Sequence, residues 1–273
     1  PAWGQRALRD SGIRSGPAPF ATAMSPSVPP SAEPVRDRAP STRGVETMLP
    51  RPRPRREVLD GVRVRLEPLD PERHGADLYA GGHDGSPDAE RSWEYLPYGP
   101  FSSQAEHRSW LQAQAAADDP LFFAIAEKPE GRAAGLATLM SIVPDHGSIE
   151  IGHIWLSPGL QRTPAATEAL VLLLTYALEE LGYRRMEWKC NAANASSRRA
   201  AIRLGYTFEG IFYNHKVYKG RNRDTAWYSI LDEEWPRLRA AYASWLARAN
   251  FDGNGAQRQR LSDLTRRKPA DDR

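Results

Sequence analysis

Residues 161 to 166 have the composition of an anion-binding turn at the start of a helix. Thr163 stands where a helix N-cap is expected, and Pro164 follows at the first helical position. The first turn of a helix presents unpaired N–H groups and a partial positive charge, which suit a phosphate group. Arg162 would add a full positive charge beside them. The alternative is an ordinary strand–helix junction with a good cap, and this stretch alone does not separate the two.

The elements on either side of this turn must position it in the fold. Residues 149–156 are rich in β-branched and aromatic side chains and too short for a typical helix, so they predict a buried strand. Apolar residues then recur with helical spacing from Ala166 to Leu181, and Gly182 ends the helix. The sequence therefore predicts a strand, a sharp turn and an amphipathic helix in direct succession.

The turn and the segments around it resemble the GNAT acetyltransferases. Gln161-x-x-Pro164-x-Ala166 stands where that family carries a Q/R-x-x-G-x-G/A loop, which wraps the pyrophosphate of acetyl-CoA. Further similar segments are residues 150–156, 167–169, 188–191, 194–198, 203–206 and 208–210. The set is similar to the RimJ/RimL branch, whose named members acetylate the N-termini of ribosomal proteins. Pro164 departs from the pattern, because it replaces a glycine and removes one backbone donor.

This resemblance implies an α/β fold with a mixed central sheet of about six to seven strands flanked by helices. In the GNAT fold the central strand splays from its neighbour, and its exposed backbone binds the pantetheine arm of acetyl-CoA. The thioester is therefore assigned to backbone groups near Trp155 and Leu156. The other residues expected to contact the cosubstrate are Gln161, Arg162, Thr163, Ala165, Ala166, Asn191 and Asn194. No metal is expected.

Acetyl transfer to an amine requires a base for the ammonium, a donor for the oxyanion and an acid for the departing thiolate. The resemblance assigns the acid to Ser197, although asparagine and serine near a helix start, such as Asn194 and Ser197, are more often caps. The base is left open, because Lys216 occupies the position where RimL-type enzymes have a glutamate. Glu150 on the central strand and His215, with a near-neutral pKa, are the two candidates.

Three other features near the expected site carry structural predictions. Strand side chains alternate between faces, so His153 is expected to point away from Glu150 and to pack in the core. Cys190 is expected to have a structural role, because direct transfer needs no acyl-enzyme. The aromatic segment from Trp93 to Pro100 would cover either an acceptor site or the core.

The two ends of the chain differ in composition from the middle. Residues 1–57 hold ten arginines, five acidic residues and eleven of the 23 prolines, which predicts a disordered leader. A targeting peptide or a nucleic-acid-binding arm is the alternative, although no nucleic acid is expected for the domain itself. Residues 250–273 are polar and predict a flexible tail. Residues 58–249 are predicted to form one domain.

Composition restricts the class of protein further. With 273 residues, of which 40% are hydrophobic and 26% charged, the chain suits one globular core. No apolar run approaches the ~20 residues of a membrane helix, so no membrane partner is expected. The single cysteine fits the reducing cytoplasm.

Periodicity and capping signals locate the remaining elements. Strands are predicted over residues 61–66, 121–126, 134–142, 149–156, 184–190, 206–218 and 225–231. Helices are predicted over residues 71–79, 103–116, 166–181, 194–204 and 236–249. Asp70 is the expected cap of the first helix, and Ser103 with Glu106 forms a capping box for the second.

The sequence thus predicts one GNAT domain that moves an acetyl group from acetyl-CoA directly to a primary amine, through a tetrahedral intermediate. The acceptor is either a protein N-terminus or a small-molecule amine, and a homodimer is left open. The alternative from another class is a non-catalytic acyl-CoA-binding sensor, since Pro164 and the missing glutamate both depart from the family pattern.

Overall fold

The computed structural model describes residues 49–266, together with residues 38, 40–42, 44 and 45. Within that part, one mixed sheet has the strand order β1-β2-β3-β4-β5-β6-β8-β7. Its strands are β1 (Leu59–Asp60), β2 (Val64–Pro68), β3 (Leu121–Glu127), β4 (Arg132–Val143), β5 (Ser148–Leu156), β6 (Arg185–Asn191), β7 (Thr207–Tyr218) and β8 (Arg221–Leu231). The predicted fold class is confirmed, with the two-residue β1 as an additional edge strand.

The centre of the sheet opens where β5 and β6 meet. These two strands are parallel, whereas every other neighbouring pair is antiparallel. Their pairing covers only Ser148–Glu150 against Arg185–Glu187. Beyond Glu150, β5 continues beside β4, and β6 continues beside β8. The two strands therefore diverge, as the resemblance predicted for the central strand.

Helices cover both faces of the sheet. Leucines of α1 (Pro71–Gly82) and α3 (Gln104–Ala116) pack with Trp93 and Trp155 in one core, next to the short α2 (Pro87–Ser92). The larger core holds apolar side chains of α4 (Pro164–Thr175), α5 (Ala195–Arg203), α6 (Trp235–Leu246) and α7 (Leu261–Thr265). None of the helices in the described part is long and apolar enough to cross a bilayer.

The predicted helix caps form, with one change of partner. Asp70 accepts from the N–H of Glu72 at 2.9 Å, and Ser103 accepts from the N–H of Glu106 at 3.2 Å. The carboxylate of Glu106 reaches the N–H of Ser102 at 2.8 Å, so the reciprocal bond of the capping box is displaced by one residue.

The hairpin between β7 and β8 is tighter than predicted. Lys219 and Gly220 have φ values of 49° and 71°, which permit a two-residue turn. Strand β8 therefore begins at Arg221 instead of at residue 225.

Both ends of the described chain differ from the sequence-based expectation. Residues 49–57 belong to the predicted leader, yet the N–H of Arg51 donates to Pro144 O at 3.0 Å and that of Arg55 to the hydroxyl of Tyr176 at 2.9 Å. Residues 250–265 belong to the predicted tail, yet Leu261 and Thr265 are buried. Main-chain bonds supply order that polar composition does not reveal. Residues 1–37 lie outside the described part, so disorder there stays a prediction.

Candidate active site

A cleft of about 1700 Å³ begins where β5 and β6 separate. The cleft is lined by the second half of β5, the turn before α4, the first turns of α5, and the β7–β8 hairpin. Its size and mixed lining are those of a site for a ligand larger than a typical drug molecule.

The end of β5 offers backbone to this cleft. Leu156 lines the cleft, and its carbonyl oxygen accepts from the side-chain amide of Gln161 at 3.0 Å. The indole of Trp155 points the other way: it is buried, stacks on Trp93 with ring centroids 4.8 Å apart, and donates to Ser92 Oγ. Trp155 itself does not line the cleft, so a thioester contact from its backbone stays a prediction.

The turn before α4 forms a capped helix N-terminus. Thr163 Oγ1 accepts from the N–H of Ala166 at 3.1 Å and donates to Leu160 O at 2.8 Å. The N–H of Ala166, one of the predicted phosphate donors, is thus occupied by the cap. Ala165 lies in the first turn, whose N–H groups have no partner inside the helix. Arg162 adopts a left-handed φ of 63° at the rim.

Asn194 and Ser197 begin α5 and face the same cleft. Asn194 Oδ1 accepts from the N–H of Ser197 at 2.9 Å, which is the capping role that the sequence offered as the alternative. Ser197 Oγ accepts from the indole N–H of Trp188 at 3.0 Å. That bond uses a lone pair of the hydroxyl and leaves its hydrogen free to be donated into the cleft. Asn191 also lines the cleft, and its side chain accepts from the N–H of Ala193.

Glu150 is a buried carboxylate with a cationic partner that the sequence did not reveal. Its Oε2 accepts from Lys189 Nζ at 2.8 Å and from Ser141 Oγ at 3.0 Å. Burial alone would lower the pKa of Lys189, but Glu150 and Glu187 outweigh burial, and the pKa is raised. Lys189 therefore stays charged and also lies 4.3 Å from the ring centroid of Trp227.

His215 is an exposed imidazole on β7 that lines the cleft. Its Nδ1 lies 2.9 Å from Thr225 Oγ1. What little burial the ring has, followed by the charges of Lys216 and Arg223, lowers its pKa. The ring is therefore neutral near pH 7, as a proton acceptor must be.

His153 does not lie opposite Glu150, so that part of the prediction is wrong, but its ring is packed as predicted, because it stacks on Tyr98 with ring centroids 5.5 Å apart. A bulge in β5 adds one residue between the pairs Thr138–Gly152 and Leu136–Trp155, and His153 takes a φ of 46° there. Both His153 and Glu150 line the cleft as a result. Burial, then Lys216 and Arg223, lowers the pKa of His153 to about 4.

The aromatic segment is divided between the core and the cleft. Trp93 is fully buried, and Tyr98 packs between Trp110 and His153. Tyr95 and Leu96 do line the cleft. The segment therefore covers the core and also borders the cleft, and contact with an acceptor stays a prediction.

Sequence reasoning missed the arginines that line the cleft around α4, α5 and the C-terminal segment. The arginine end of the cleft, as it is called here, consists of five residues: Arg162, Arg199, Arg203, Arg258 and Arg260. The part around Glu150, Lys189, His153, His215 and Trp227 is called the β6 end. The sequence did contain a signal for the arginine end, because basic residues recur in α5 and after residue 257, but no motif connected them. No group of metal-binding side chains occurs in the described part.

Comparison with known proteins agrees with this geometry. The chain matches the GNAT acetyltransferase domain over residues 63–207. A GCN5-related N-acetyltransferase of Brucella melitensis is 48% identical and superposes with a TM-score of 0.78, covering 81% of this chain and 99% of that one. A probable acetyltransferase of the GNAT family from Chromobacterium violaceum is 41% identical, with a TM-score of 0.66 over 74% of this chain and 99% of that one. The chain belongs to the GNAT acetyltransferase family, whose general activity is acetyl transfer to an amine.

Another relative bears on the branch within the family. YdaF of Bacillus subtilis, named as a putative ribosomal N-acetyltransferase, is 29% identical over 106 residues. The matched region is 39% of this chain and 57% of that relative, so the chain spans little more than half of the relative's length. The similarity supports the RimJ/RimL-like branch predicted from the sequence.

Proposed function

We propose that the protein transfers an acetyl group from acetyl-CoA to the α-amino group of a protein N-terminus. The observation that carries the proposal is the divergence of β5 from β6 after Glu150, directly upstream of a capped helix start. The exposed edge of β5 suits the amide groups of the pantetheine arm. The first turn of α4 and Arg162 suit the pyrophosphate.

Ser197 is the proposed acid. Its hydroxyl accepts from the indole N–H of Trp188, and its backbone N–H donates to Asn194 Oδ1, so the placed hydroxyl can donate to the thiolate that leaves when the tetrahedral intermediate collapses. Direct transfer forms the C–N bond and breaks the C–S bond without an acyl-enzyme. Cys190, which is buried, takes no part in it.

The candidate bases favour an α-amine over a lysine side chain. The slight burial of His215 and the charges of Lys216 and Arg223 lower its pKa, so its imidazole is a weak base, and Glu150 is held in an ion pair with Lys189. A protein α-amino group has a pKa of about 7.7–8.0, against about 10.4 for a lysine side chain. A weak base can therefore deprotonate an α-amino group near neutral pH much more readily than a lysine side chain.

Thiol release from acetyl-CoA tests the proposal. One peptide would carry a free N-terminus and no lysine, and the other would be the same peptide with a blocked N-terminus and one lysine. We expect release with the first peptide only. Release with the lysine peptide alone, or with a polyamine alone, would refute the acceptor class. Binding of acetyl-CoA without release in any reaction would indicate the sensor instead.

Substitutions at the three proposed catalytic residues assign the proton transfers. Ser197→Ala should lower kcat by about 10²–10⁴ and leave acetyl-CoA affinity nearly unchanged. Weakened binding with normal kcat would make Ser197 a binding residue. The pH–rate limb of the base should disappear in either Glu150→Gln or His215→Ala. If it persists in both variants, neither residue is the base.

A further inference from the structure

The C-terminal segment from Asn250 to Thr265, called here the C-terminal hook, is folded against the cleft by its own hydrogen bonds. The side chain of Asn250 donates to Trp245 O at 3.0 Å and accepts from the N–H of Gln259 at 2.9 Å. The N–H of Arg258 donates to Asn250 O at 2.7 Å. These bonds fix the path of the chain through the residues that line the cleft.

Further contacts join the hook to α5 and α6. The indole N–H of Trp245 donates to Gln257 Oε1 at 2.8 Å, and Thr265 Oγ1 donates to Arg203 O at 3.0 Å. Leu261 is buried in the larger core. The hook is therefore a fixed wall of the arginine end, and it presents Arg258 and Arg260 to the cleft.

The arginine end carries positive charge without internal compensation. Within residues 49–266, ion pairs occupy many of the arginines, but none of the five that line this end of the cleft has a carboxylate partner. Arg203 illustrates the consequence: it donates to Thr167 Oγ1 at 3.1 Å and lies 4.8 Å from the ring centroid of Trp245. Like charges gathered without carboxylates repel one another unless an anion binds between them.

We propose that the C-terminal hook and α5 form a site for the 3′-phosphate of coenzyme A and make the protein selective for the 3′-phosphorylated cosubstrate. This inference rests on the proposed function. The pyrophosphate already has the first turn of α4 and Arg162 as partners. The remaining anionic group of coenzyme A is a phosphomonoester, and the arginine end still offers Arg199, Arg203, Arg258 and Arg260 as its partners.

Calorimetric titration with CoA and with 3′-dephospho-CoA tests the site. The wild-type protein should bind CoA at least about tenfold more tightly, as a charge-assisted contact predicts. The double variant Arg258→Ala/Arg260→Ala should lose most of that preference, by weaker binding of CoA and nearly unchanged binding of dephospho-CoA. Arg248→Ala is the matched control, because Arg248 is an exposed arginine just before the hook that does not line the cleft.

Each other outcome has a definite meaning. Equal affinities of the wild type for the two ligands would overturn the inference while leaving the proposed function intact. Equal losses for both ligands in the double variant would overturn it as well. If that variant unfolds, Arg199→Ala on the exposed surface of α5 gives the same comparison without altering the hook. Failure of the wild type to bind either ligand would instead refute the proposed function.

Discussion

The two ends of the cleft hold charge in opposite ways. At the β6 end, Lys189 lies between Glu150 and Glu187, and Arg185 continues the chain of ion pairs from Glu187 to Glu209. At the arginine end, none of the cleft-lining guanidinium groups has a carboxylate partner within the described part of the chain. Paired charges are already satisfied within the protein, whereas the guanidinium groups of the arginine end are open to an anionic ligand. The comparison therefore separates the residues whose charges hold the site together from those that are expected to bind anionic groups of the cosubstrate.

The largest effect is expected from breaking a pair at the β6 end. Lys189→Met leaves the buried carboxylate of Glu150 without its cation and should lower the free energy of unfolding by about 3–5 kcal/mol. Adding Glu150→Gln removes that charge and should restore part of the loss. Urea denaturation of the single and double variants measures both values. A single variant as stable as wild type would show that the pair contributes no stability.

At the arginine end we expect a loss of binding with little change in stability. Arg162→Ala should weaken CoA binding by about 1–3 kcal/mol, because the turn loses a charge-assisted contact to the pyrophosphate. Pantetheine, which lacks the pyrophosphate, should bind as before. Calorimetry with both ligands provides the measurement. Equal losses for the two ligands, or no loss for CoA, would mean that the turn is only a helix cap.

The smallest effect is expected on the free energy of unfolding when the pH is lowered. Burial would raise the pKa of Glu209, but Arg185, Ser229 and Arg38 outweigh burial and lower it. A carboxylate with a lowered pKa contributes stability above its unfolded value of about 4.3 and loses it as the pH falls through the folded value. Wild type should therefore lose about 1 kcal/mol or less through this group between pH 5 and pH 3.

Glu209→Gln should show a correspondingly shallower dependence of stability on pH than wild type. Glu130→Gln, at an exposed turn between β3 and β4, should retain the wild-type slope. Denaturation midpoints across this pH range give both slopes. Identical slopes for Glu209→Gln and wild type would contradict the assignment.

Local features of this fold could be predicted from sequence, because each depends on a few neighbouring residues. The Thr163–Pro164 helix start and the Asn194 cap are examples. The partner of Glu150 could not be predicted from sequence, since Lys189 lies 39 positions away and meets it only through the register of two parallel strands. The C-terminal hook was missed for another reason. Its order comes from side-chain hydrogen bonds of Asn250, Gln257 and Thr265, and composition does not record them.

The bulge in β5 has a consequence for anyone who alters this strand. A strand assigns its residues to two faces by odd and even position, and one surplus residue reverses that count for everything after it. Without His153 the two strands would each have two steps between the flanking pairs, so Gly152 and Trp155 would keep their partners on β4 and the strand would continue without a bulge. The stacking of Trp155 on Trp93 would remain, and the cleft would lose the imidazole that the left-handed residue places there. Length at this point of the chain is therefore as much a determinant of the site as residue type.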